Sequence, residues 1–139
     1  MKHRVLLRRA LPAAALAAVL LSASLPASAL LFRNEEAAPT VAAFSKNGPV
    51  TGAISFTQAD FRVEDGKTTL DSIVISSLPD PAAGALTLGG QAVGIGDVVT
   101  MNAVDGLRFT PLAAATVSSA AFSFVPIFSD GRQGSGVSV

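Results

Sequence analysis

Ser72–Pro111, SIVISSLPDPAAGALTLGGQAVGIGDVVTMNAVDGLRFTP, decides the fold. Ile73-Val74-Ile75 is too short and too β-branched for a helix and predicts a strand within Leu70–Leu78. Pro79-Asp80-Pro81 ends that strand, because proline has no N–H for a ladder and holds the preceding residue extended. Ala85–Leu88 and Gln91–Val93 flank Gly89-Gly90, a two-residue connection suited to primed hairpin turns. Val98–Met101 and Gly106–Thr110 are two further runs, the latter with Leu107 and Phe109 on one face and Arg108 and Thr110 on the other.

The same pattern extends to both sides. Thr40–Ser45 is a strand candidate closed by Asn47-Gly48-Pro49. In Val50–Phe61, Ile54 and Phe56 alternate with Ala53, Ser55 and Thr57. Val63-Glu64-Asp65-Gly66-Lys67 is a turn, its Asp-Gly tolerating positive φ. Leu112–Thr116 has helical propensity, but Pro111 before it and Thr116–Ser119 after it make it a loop or a single turn. Ala120–Phe128 puts Phe122, Phe124 and Phe128 on one face, and Pro126 assigns its far half to an edge or bulged position. Gly134–Val139 begins a last run. Some eight short strands with regular turn signals predict an all-β chain, an antiparallel Greek-key β-sandwich. Most neighbouring strands are expected to be joined by hairpins, with one or two longer crossings; a closed barrel is the alternative.

Residues 1–29 differ in kind. A basic head with Lys2, Arg4, Arg8 and Arg9, the apolar Ala10–Leu21 and a terminal Ala27-Ser28-Ala29 are the three parts of a helical secretory signal peptide, cleaved after Ala29. The apolar run falls short of the roughly 20 residues that span a bilayer. Removal leaves 110 residues with six basic and ten acidic side chains, a net charge of −4. The expectation is a secreted or cell-surface protein that neither binds nucleic acid nor inserts into a membrane after cleavage. Residues 30–46 are read as a flexible lead-in with a possible first strand, and 47–139 as the β-sandwich domain. With no cysteine anywhere, a core rich in the protein's eight phenylalanines has to hold this domain without disulfides.

Few catalytic arrangements survive these counts. The single histidine, His3, leaves with the signal, so Ser–His–Asp, Cys–His and most zinc chemistry lack their residues. Lys46 and Lys67 sit in no Ser–Lys motif. Gly89, Gly90, Gly94 and Gly96 precede a strand, Val98-Val99-Thr100, where a phosphate-cradling loop needs a helix. No catalytic or cofactor-binding residue is assigned. Asp60, Glu64, Asp65 and Asp71 form the densest acid group and are the candidates for a structural calcium ion, against a solvated turn that Arg62 and Lys67 partly neutralise.

A family resemblance adds to this reading. Its residues are Phe56-Thr57 with Asp60-Phe61, Leu70–Pro79, Gly84–Val93, Gly96-Asp97-Val98-Val99, Leu107–Pro111, Phe122-Ser123-Phe124 and Ser129-Asp130-Gly131. Over about residues 50–139 the protein resembles the cadherin-like, immunoglobulin-type repeat of large bacterial secreted surface and adhesin proteins. The resemblance implies a Greek-key sandwich serving as a stalk or adhesion module, with neighbouring repeats or cell-envelope components of a longer protein as its partners. Many members carry Asp-x-Asp-Gly-Asp where this sequence has Val63-Glu64-Asp65-Gly66-Lys67, so no calcium ligands carry over. Val139 falls inside the last expected strand, which reads as a C-terminal truncation.

The functional expectation is an exported, non-catalytic surface module for adhesion, spacing or cell-envelope structure. The alternative is an accessory or carbohydrate-binding domain of a secreted enzyme whose catalytic part is missing. Against it, there is no tryptophan or tyrosine to stack on a sugar. A third reading, peptide capture by β-augmentation, rests on the unfinished last strand alone.

Overall fold

The computed structural model describes residues 36–139; the signal-peptide reading of 1–29 and residues 30–35 of the lead-in lie outside the described residues. Ala38–Val139 forms one unit of eight strands. They are β1 (Ile54–Ser55), β2 (Leu70–Ser77), β3 (Gly84–Leu88), β4 (Gln91–Ala92), β5 (Val98–Thr100), β6 (Leu107–Pro111), β7 (Ser123–Phe128) and β8 (Val137–Ser138). Two four-stranded sheets result, ordered β1-β6-β3-β4 and β5-β2-β7-β8, with every pairing antiparallel. The all-β expectation holds.

The connections differ from the expectation. Of the seven links between successive strands, only β3–β4 and β7–β8 join neighbours in one sheet; the other five pass to the opposite sheet. The reason is that turn chemistry is local. Asp80 Oδ1 accepts the Ala82 N–H (2.9 Å) between β2 and β3, and Asp97 Oδ2 accepts the Gly94 N–H (2.8 Å) between β4 and β5. Such local carboxylate-to-backbone bonds reverse the backbone equally well within a sheet or between two. Gly89-Gly90 is a true hairpin, with φ of +57° and +86°, the pair of positive values that a type I′ turn needs.

The first two strand candidates shrink. Thr40–Ser45 contributes one bridge, Val41 to Val63, and Val50–Phe61 keeps only Ile54–Ser55 before a 3₁₀ turn at Gln58–Asp60. Val41 is nevertheless buried, and Phe44 packs on the core.

Strand β2 breaks strict alternation. Leu70, Ile73 and Ile75 all point inward although their numbers differ in parity. Leu70 pairs with Phe128 and Ser72 with Ile127, so two steps on β2 meet one on β7, and Asp71 is the extra residue of a β-bulge. A second register shift lies between Ile75 and Ser77. Strand β7 alternates as expected, with Phe124, Pro126 and Phe128 inward. Pro126 lies opposite Ile73 of β2, and its carbonyl accepts the Gly134 N–H at 2.9 Å on the other side. In an antiparallel strand a residue's N and O face the same neighbour, so the donor that proline lacks is missing on the Gly134 side and the β2 ladder is untouched.

Both sheets feed one core, including Ile73, Ile75, Leu86, Val99, Leu107, Phe124 and Phe128. At its β1 end five rings interlock. Phe44 meets Phe61 at 5.2 Å, Phe61 meets Phe124 at 5.3 Å and Phe56 meets Phe122 at 5.5 Å, all edge to face. Such pairs add about 0.5–1.5 kcal/mol each beyond area burial. This aromatic cluster supplies what a protein without cysteine does not obtain from cross-links.

Candidate functional site

The four acids singled out from the sequence each have a local task. Asp60 Oδ2 takes the Lys46 ammonium at 2.6 Å and the Thr57 N–H at 2.8 Å. Burial raises the Asp60 pKa, but the Lys46 hydrogen bond, the Thr57 N–H and the Lys46 charge outweigh it and hold the carboxyl below its ordinary value. Glu64 accepts the Thr40 hydroxyl. Asp65 closes an Asx turn, accepting the Lys67 and Thr68 N–H groups and, at 2.6 Å, the Thr68 hydroxyl. Led by the Thr68 hydroxyl, these bonds lower its pKa to about 2. Asp71 sits on the bulge and accepts the Ser72 hydroxyl at 3.2 Å.

The structure does not bring these four together. Among the described residues no group of three or more His, Cys, Asp or Glu side chains is placed to hold a metal ion. A calcium ion takes six to eight oxygens converging on one point, and the four acids as a set do not fit it. Lys67 and Arg62, expected to neutralise the group, make no ion pair with it; the cation that does is Lys46, from the loop before β1.

The feature that sequence reasoning missed is a groove of about 400 Å³, framed by residues 45–51 and 111–121 where β7 begins and β8 ends. Phe56 and Phe122 line it, with Ile54, Phe109 and Pro111 beside them. Val50, Leu112 and Val117 also line it, 75%, 51% and 48% exposed. Lys46 carries the charge of this lining, its ammonium 5.7 Å from the centre of the Phe56 ring as well as on Asp60. The arrangement suits apolar groups laid against aromatic edges. Its hydroxyls, among them Ser45 and Ser118, have no histidine, aspartate or glutamate side chain beside them in the lining. The groove is assembled from loops some 60 residues apart in sequence, and the signal for it was the apolar Leu112 and Val117 in a segment read as a loop or single turn.

The glycine cluster is turn geometry: Gly89, Gly90 and Gly96 have positive φ, and the Gly94 N–H is taken by Asp97. No protein-family model, curated protein or solved structure matches this sequence.

Proposed function

We propose that the protein is an exported, non-catalytic surface module, a Greek-key sandwich of cadherin-like or immunoglobulin-like type that serves adhesion, spacing or cell-envelope structure. The observation that carries this reading is the use made of the carboxylates. Asp60, Asp65, Asp80, Asp97 and Asp130 each accept a backbone N–H two or three residues away. Acids held this way stiffen the links between strands. Stiff links around a phenylalanine-rich core suit a part whose task is to hold position between neighbouring repeats or envelope components.

The test expresses the full-length protein in a bacterial host. The processed protein should lose its first 29 residues, be open to protease added outside the cell, and turn over no substrate in a broad hydrolase panel. Retention of the unprocessed protein in the cytosol, or turnover of any panel member, overturns the proposal.

A further inference from the structure

Asn47-Gly48 lies on the rim of the groove, both residues exposed. Packing requires a glycine at 48, since a Cβ there would stand 2.5 Å from Ile54 Cγ1. Glycine in turn leaves its own N–H unshielded by a side group. Among the hydrogen bonds of the described residues, none uses the Gly48 N–H or the Asn47 carboxamide. An electrophilic amide carbon and an uncommitted backbone nitrogen are thus adjacent in sequence.

The other susceptible pairs are restrained. In the three Asp–Gly pairs the glycine N–H is engaged: Gly66 to the Val63 carbonyl (3.3 Å), Gly106 to Ala103 (2.9 Å) and Gly131 to Phe128 (2.9 Å). The Asp65 and Asp130 carboxylates are also tied into their turns. Asn102 precedes Ala103, whose N–H bonds the Thr100 carbonyl at 2.9 Å.

We propose that Asn47 is a site of spontaneous deamidation in the folded protein. The Gly48 nitrogen loses its proton and attacks Asn47 Cγ. A new bond forms between that nitrogen and Cγ, the Cγ–Nδ2 bond breaks, and ammonia departs with the proton. Water then opens the cyclic imide at either carbonyl, leaving aspartate or isoaspartate at position 47. One water is consumed and one ammonia released, with no change of oxidation state. Either product places an anion on the groove rim next to Lys46, and isoaspartate also lengthens the backbone just before the glycine on which Ile54 packs.

The experiment incubates the full-length protein at mildly alkaline pH, folded and in parallel in guanidinium. Peptide mapping by mass spectrometry follows Asn47, and isoaspartyl methyltransferase labelling reports the isomer. Asn47 should disappear from the folded protein as fast as from the denatured one, whereas Asp65, Asp105 and Asp130 isomerise only after denaturation. Labelling of the folded protein should be lost in Asn47→Gln. Survival of Asn47 in the folded protein over the time that consumes it in guanidinium overturns the proposal, as does undiminished labelling in Asn47→Gln.

Discussion

The Lys46 ammonium stands 2.6 Å from Asp60 Oδ2, and the same oxygen accepts the Thr57 N–H at 2.8 Å. One carboxylate thereby ties the loop before β1 to the 3₁₀ turn after it. The cap and the ion pair are separable. Asp60→Ala removes both and should cost about 1–2 kcal/mol. Lys46→Ala leaves the cap and removes the ion pair, whose partners are 30% and 22% exposed, together with the ammonium's contact with the Phe56 ring, and should cost about 1 kcal/mol. Urea denaturation of both variants checks the order; a larger loss in Lys46→Ala would show that the cap contributes little.

Phe61 is buried between Phe44 and Phe124. Phe61→Ala opens a cavity at the centre of the ring cluster and should destabilise the protein by about 3–5 kcal/mol. Phe109→Ala, at a half-buried position beside the groove, should lose distinctly less. Equilibrium unfolding of the two variants decides it.

Acid should weaken the fold in a defined window. The Asp65 pKa is lowered from 3.8 to about 2 by its bonds to Thr68 and Lys67. The folded state therefore binds this proton less readily than the unfolded state. The stability it contributes is complete above the unfolded value and is lost as pH falls through the folded one. Asp60 and Asp130 are shifted in the same direction. Thermal midpoints measured on acidification should fall across this window, and Asp65→Asn should flatten the fall.

Gly90 and Gly134 are needed for different reasons, and alanine should reveal the difference. Gly90 has φ of +86° and open space around it, so Gly90→Ala costs only backbone strain, about 1–2 kcal/mol, and Gly90→Asn less. At Gly134 a Cβ would meet Pro126 Cγ at 2.8 Å and the Pro39 carbonyl oxygen at 2.9 Å. Asparagine should therefore be worse than alanine at Gly134, reversing the order seen at Gly90, with thermal midpoints as the measure.

Much of the fold was legible residue by residue. Phe122, Phe124 and Phe128 share the inward face of β7 and the residue before it, Phe56 is buried just after β1, and Gly89-Gly90 makes the hairpin. Asp71 shows where legibility ended. As a carboxylate near three others it suggested a ligand, yet it is the extra residue of a bulge. A bulge exists only relative to the partner strand, so no window of sequence around Asp71 contains it.

Periodicity, turn residues and the missing cysteines by themselves determined an all-β protein, the positions of its longer strands and a core dependent on phenylalanine. These are properties of short stretches, set by side-group alternation and by the backbone preferences of Gly, Pro and Asp. Only the tertiary structure decided that five of seven links change sheet, that Lys46 and not Arg62 or Lys67 pairs with Asp60, and that two distant loops frame a groove. Each depends on which segments meet across the core. That is selected by the summed burial of residues from the whole sequence, not by the turn that precedes a strand.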